Sequence, residues 1–157
     1  EQPFACFKLR TMRDWTDSDG RLLPDEVRLT PLGRWLRQRS WDELPQLLNV
    51  LRGDMSLVGP RPLLVAYLPL YSERQRRRHL VRPGLTGLAQ IHEPAGLSWP
   101  QRLAYDSDYV EQLSFRTDAR ILATTFCQVL GSLIRRQRKL YEPQRLDEVG
   151  PSGGALD

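Results

Sequence analysis

The stretch Ser40-Trp41-Asp42-Glu43-Leu44-Pro45-Gln46-Leu47, followed almost at once by Asn49-Val50-Leu51-Arg52-Gly53-Asp54-Met55-Ser56-Leu57-Val58-Gly59-Pro60-Arg61-Pro62, governs the reading of the chain. Leu44, Leu47, Leu48 and Leu51 recur at spacings of three and four, which predicts a helix whose leucine stripe is core. Gly53-Asp54 ends that helix, and Met55-Ser56-Leu57-Val58 leads into a rigid turn that holds Arg61 between Pro60 and Pro62. A cation fixed so tightly suits an anion. At the front, Ser40 and Glu43 have the spacing of a capping box, in which hydroxyl and carboxylate satisfy backbone donors reciprocally, an arrangement worth about 1 kcal/mol. Capping accounts for Glu43 but does not need Asp42, and Pro45 sits where a plain helix would want an amide donor. The adjacent carboxylates therefore have a structural and a chemical reading, and spacing alone leaves both open.

With 157 residues, 40% of them apolar, the chain is long enough for one domain with a core. The net charge of +4 is carried almost wholly by arginine, since only Lys8 and Lys139 are lysines. Arginine forks favour phosphate or carboxylate partners, so nucleic acid, anionic lipid and phosphorylated small molecules all remain compatible. Cys6 and Cys127 are too few and too far apart for a disulfide framework or a zinc site. No apolar run reaches the roughly 18 residues of a spanning helix. The start at Glu1 leads to the expectation that the natural protein extends upstream.

Phe4 to Met12 alternates loosely, which predicts a short strand with Lys8 and Arg10 on one face. That face suits a solvated edge or a pyrophosphate. Residues 13 to 24 read as a polar loop, with no metal expected from Asp17-x-Asp19. Thr30-Pro31 opens a helix with Leu32, Trp35 and Leu36 on one face, and it should deliver Arg37 beside Asp42 and Glu43. Leu63 to Arg78 reads as helical with a basic tail, Arg74 to Arg78. The tail suits either the helix dipole or phosphates of lipid or nucleic acid. Val81 to Gln90 reads as a turn entering a short strand, and His92 to Pro100 as a loop. Gln101 to Leu113 and Ser114 to Arg138 read as helices; in the second, Ile121, Leu122, Phe126, Val129, Leu130, Leu133 and Ile134 favour core packing over a seat at a bilayer surface. Residues 142 to 157 have the composition of a disordered tail. The expected fold is α+β: a helix-dominated single domain with a small antiparallel β element and amphipathic helices able to lie on a membrane surface.

Five motifs stand in order: Lys8-x-Arg10-Thr11-Met12, the stretch 40 to 47, Gly53-Asp54-Met55-Ser56-x-Val58-Gly59-Pro60-Arg61-Pro62, Arg78-His79-x-Val81-Arg82-Pro83-Gly84-x-Thr86-Gly87, and Asp106-x-x-Tyr109. Together they resemble the bacterial sugar transferases, the monotopic phosphoglycosyl transferases, from about residue 4 to 135. Tyr67-Leu68-Pro69-Leu70-Tyr71 resembles their small, single-domain branch. The resemblance implies a catalytic domain over residues 1 to 141. It implies transfer of a sugar 1-phosphate from a nucleotide sugar, usually a UDP-sugar, to a polyprenyl phosphate, with UMP released and Mg2+ required. Asp42 then maps to the nucleophile that carries the phosphosugar, and Glu43 to its partner in metal binding or acid/base work, with both carboxylates in the expected metal set. Lys8, Arg37 and Arg61 match positions near the pair; Arg10 and Arg82 are further anion contacts, and Gln90 joins the substrate-binding set. For the full-length protein the resemblance implies the cytoplasmic face of the bacterial inner membrane, reached through a re-entrant helix upstream of the first strand.

Relatives commonly carry an Asn-Gly-Arg type stretch after the Ala-Gln pair, where this chain has His92-Glu93-Pro94-Ala95, so one phosphate or sugar contact is expected to be missing. A catalytically impaired member acting as a scaffold is the alternative reading. The rival from another class is a basic module for nucleic acid or anionic lipid, built on Arg74 to Arg78 and Arg135 to Lys139. It leaves Asp42-Glu43 and the Gly59 to Pro62 turn unexplained, and no nucleic-acid partner is expected.

Overall fold

The computed structural model describes residues 1–93 and 96–134, with side chains through Gly131. The tail expected at 142 to 157, the cluster Arg135 to Lys139, and Pro94 and Ala95 lie outside the described residues.

Thr30 accepts the Gly33 amide at 2.9 Å and caps α2 (Pro31–Gln38), which follows the short α1 (Asp25–Arg28). A 3-10 turn, Trp41–Glu43, then leads into α3 (Gln46–Arg52), which stops at Gly53 with φ 81°. Strand β1 (Ser56–Val58) pairs with β2 (Gly84–Thr86), Ser56 opposite Gly84 and Val58 opposite Thr86. The pair is parallel, which corrects the antiparallel expectation. A parallel pair needs a crossover connection of about a dozen residues or more, and residues 59 to 83 between the strands supply it. A Cβ on Gly84 would stand 2.1 Å from the Gly59 amide nitrogen, so the strand ends touch backbone to backbone.

The single helix predicted for Leu63 to Arg78 is instead broken. A 3-10 segment, Val65–Leu70, ends at Tyr71; Ser72 and Gln75 form a capping box on α4 (Glu73–Arg76); a second 3-10 turn runs Arg77–Leu80. Pro69 inside the stretch and the Ser72 cap explain the interruption. After β2 come α5 (Leu88–His92), α6 (Trp99–Glu111) and α7 (Phe115–Ile134). The last two match the helices expected from the sequence, whereas α5 takes up the end of a stretch read as strand and loop.

Two small cores flank α6. Val58, Tyr109 and Ile121 form one, and Tyr67, Tyr71 and Leu103 the other. The leucine stripe of α3 belongs to neither: Leu44, Leu47, Leu48 and Leu51 are exposed, Leu51 by 83%. The face that α3 buries carries Gln46 and Asn49. On α7, Ile121 is fully buried while Leu122, Phe126, Val129 and Leu130 are exposed, so core packing accounts for only part of that helix.

Candidate active site

The first dozen residues form no extended strand; Met12 bridges Leu29, and Phe4 to Arg10 are held by other means. Asn49, wholly buried, accepts the Phe7 amide at 3.0 Å and donates to the Ala5 carbonyl at 2.8 Å. Its carboxamide has the donor and acceptor of a peptide group, so one side chain does the work of a partner strand. The Leu9 amide adds a 2.9 Å bond to the Asp42 carbonyl. Between these anchors, Lys8 is carried to the acidic pair.

Lys8 Nζ lies 2.9 Å from Asp42 Oδ2 and 3.5 Å from Glu43 Oε1. From the other side Arg61 forks onto Glu43, Nη1 to Oε2 at 3.4 Å and Nη2 to Oε1 more closely. The turn between prolines therefore meets its anion inside the protein. Asp42 is 2% exposed, covered by Lys8, whose own side chain is 41% exposed. Burial pushes the Glu43 carboxyl up, but the charge and hydrogen bonds of Arg61, then of Lys8, outweigh it and hold the group below the usual range.

The capping reading does not survive. Ser40 has left-handed backbone, φ 56°, and makes no side-chain cap bond, while both Glu43 oxygens are engaged by cations. A capping box needs Ser in extended backbone with its hydroxyl over the next turn, and a left-handed Ser40 points elsewhere.

The site draws on distant parts of the sequence, all of them within the stretch that the comparisons with known proteins match. The family model described as "Bacterial sugar transferase" matches residues 1–132. The chain belongs to that family. The uncharacterized sugar transferase EpsL of Bacillus subtilis (strain 168) is 58% identical over 131 residues, covering 83% of this chain and 65% of its own length. The UDP-glucose:undecaprenyl-phosphate glucose-1-phosphate transferase of Caulobacter vibrioides is 45% identical over 138 residues, covering 82% of this chain and 52% of its own. The undecaprenyl-phosphate galactose phosphotransferase of Salmonella typhimurium is 42% identical over 146 residues, with 81% and 30% covered. This sugar transferase chain thus spans 30% to 65% of the length of these three relatives.

Of the site residues expected from the sequence, Lys8, Asp42, Glu43 and Arg61 are brought together, and four are not. Arg10 pairs with Asp14 at 2.8 Å in the open. Arg37, expected beside the carboxylates, donates from Nε to Thr11 Oγ1 at 2.9 Å; the turn through left-handed Ser40 directs the chain away from it. Arg82 is exposed and lines a cleft of about 490 Å³ with Val50, Met55, Leu57, Phe115 and Leu122, which none of the four gathered residues lines. Gln90 sits on α5, its amide nitrogen and oxygen both buried without a hydrogen-bond partner.

Sequence reading gave no role in the site to Asn49, Arg78 or Asp106. The basic tail is spent on carboxylates: Arg74 lies 3.3 Å from Asp108 and Arg77 3.1 Å from Glu111, while Arg78 lies 2.9 Å from Asp106. The readable signal was the acidic series 106, 108, 111 on a helix opposite the basic series 74, 77, 78. Among the described residues no group of three or more His, Cys, Asp or Glu side chains gathers. Magnesium is commonly held by one or two carboxylates with phosphate oxygens and water completing the shell, and Asp42 with Glu43 is a donor set of that kind.

Proposed function

We propose that the chain is the catalytic part of an enzyme that transfers a sugar 1-phosphate from a nucleotide diphosphate sugar, of the UDP class, to a polyprenyl phosphate. The supporting observation is Asp42 and Glu43 side by side under the Lys8 ammonium and the Arg61 guanidinium. The printed names of the Caulobacter and Salmonella relatives describe undecaprenyl-phosphate sugar phosphotransfer, which supports the same reading.

Phosphoryl transfer is catalysed chiefly by positioning and by neutralising oxygens. Lys8 and Arg61, both partly exposed, supply the charges that receive the diphosphate. As Lys8 turns to the diphosphate it uncovers Asp42. An Asp42 oxygen attacks the phosphorus that bears the sugar, the bond to the bridging oxygen breaks, and UMP leaves with that electron pair. The acyl phosphate so formed carries the sugar phosphate on Asp42. A polyprenyl phosphate oxygen then attacks the same phosphorus, returning Asp42 as carboxylate and leaving a polyprenyl diphosphate sugar. Dividing the transfer into two displacements lowers each barrier. Asp42 and Glu43 would hold Mg2+, which when bound neutralises charge on the diphosphate.

The acceptor places the reaction at a membrane surface, on the cytoplasmic face of the inner membrane for the full-length protein. The outward leucines of α3 support such a seat. No helix among the described residues is long and apolar enough to cross a membrane.

The test is incubation of the full-length protein with labelled nucleotide sugar, quenching, and mass analysis of the Asp42 peptide. A phosphosugar adduct is expected without acceptor and is discharged by polyprenyl phosphate. Asp42→Asn should lose adduct and turnover together; an Asp42→Asn protein with full turnover would remove Asp42 from the mechanism.

A further inference from the structure

We propose that Arg78 and Asp106 are positioning residues that set Arg61 on Glu43 by gripping the main chain of the Gly59 to Pro62 turn; the proposal rests on the reading of Asp42 and Glu43 as the reacting centre. Arg78 is 3% exposed and Asp106 4%. The Arg78 guanidinium sends Nη2 to the Arg61 backbone carbonyl and also lies 2.9 Å from Asp106 Oδ2, while Nη1 donates to the Tyr71 hydroxyl at 3.1 Å. Three structural groups thus converge on one rigid fork, and one of them is the peptide of the cation that meets Glu43.

The pair is poorly arranged for stability alone. Burying two charges costs several kcal/mol per ion, and well-packed apolar residues in the same space are often as stable. Arg78 Nε and Asp106 Oδ1 are moreover buried without hydrogen-bond partners, and burial raises the Asp106 carboxyl, against the pull of Arg78 and Arg102, to about 6. Neighbouring Arg74 and Arg77 already tie the α4 region to α6 through half-exposed pairs. What Arg78 adds is directional. Pro60 and Pro62 limit the backbone on either side of Arg61, so holding its carbonyl fixes where the Arg61 side chain starts. A planar guanidinium can hold a carbonyl, a carboxylate and a hydroxyl at set angles, whereas an ammonium cannot.

Two readouts test this in the full-length protein: turnover, followed as UMP release, and the thiol titration of Cys6. Cys6 is exposed; partial burial pushes its thiol up, the Arg61 charge pulls it down, Glu43 pushes it up and Lys8 pulls it down, so loss of Arg61 leaves the upward pushes less opposed. With Cys127→Ser removing the other thiol, the pH profile of Cys6 alkylation by iodoacetamide reports whether Arg61 stays in place. Arg78→Lys and the near-isosteric Asp106→Asn should each move that profile upward, in the direction of Arg61→Ala, and lower kcat about 10- to 100-fold, with donor KM rising as the diphosphate loses a placed cation. In an Arg61→Ala background, Arg78→Lys should move neither the profile nor kcat further, although its effect on melting temperature persists. A Cys6 profile that stays put in both folded single variants overturns the proposal, as does an undiminished kcat loss in the Arg61→Ala background. If the wild-type protein releases no UMP while the Cys6 profile still moves, the transferase reading has failed and the positioning has not.

Discussion

Glu43 shows how a single side chain was open to two readings and what separates them. As a cap it would accept a backbone amide at the helix start; in the structure it is squeezed between burial and two cations, and the cations prevail. A carboxyl whose folded pKa is lowered stabilises the protein above its unfolded value, about 4.5, and loses that contribution as pH falls through the lower, folded value. Glu43→Gln should therefore be less stable than wild type at pH 7. The difference should be only about 1 kcal/mol, because Arg61 and Lys8 are 44% and 41% exposed and water screens them. It should shrink below pH 4.5, as denaturant titrations at pH 7, 5 and 3.5 would reveal. Turnover should fall much further than stability does. A cap would give the reverse pattern, losing stability and keeping turnover.

At the scale of the element, α3 carries the largest gap between sequence and structure. Its periodicity was legible and its extent nearly so, since Gly53 ends it as expected. Which side faces inward was not, because a stripe of leucines marks a face without saying what lies against it. Asn49 reverses the usual assignment: its carboxamide pairs with the backbone of residues 5 and 7, and that contact needs a polar side chain inside. The same residue explains why Phe4 to Arg10 looked like a strand and is not one. Extended chain needs partners for its amides, and here an amide side chain provides them. Asn49→Leu should leave the Phe7 amide and the Ala5 carbonyl unpartnered, destabilising the protein by about 1–3 kcal/mol for each, and should also reduce turnover as Lys8 loses its anchor. Leu47→Ser on the outer face should change stability by no more than about 0.5 kcal/mol. Thermal unfolding of the two variants side by side checks both expectations.

For the molecule as a whole, the helical content, the single domain and the four charged residues that the structure gathers into the candidate site were readable from local motifs, while the breaks in residues 63 to 80, the parallel pairing and the inward grip of Arg78 depend on contacts between distant segments. Exposed apolar surface comes from the leucines of α3 and from Leu57 of β1 with Phe115 and Leu122 of α7, the last three sharing one cleft with Val50 of α3. If that surface rests on lipid, the combined variant Leu48→Ser, Leu51→Ser, Phe115→Ser should bind phosphatidylglycerol-containing vesicles at least about tenfold more weakly, since each large side chain contributes roughly 1.5–3 kcal/mol when buried, and its melting temperature in detergent should hold. Vesicle co-sedimentation checks this. The parallel pairing of β1 and β2 also has a topological meaning. Because both strands run the same way, the turn bearing Arg61 and the helix bearing Gln90 leave the sheet at the same carboxyl edge, and open α/β sheets place their ligands beyond that edge. Two three-residue strands are thus enough to send the Arg61 turn and the Gln90 helix out of the same edge of the sheet.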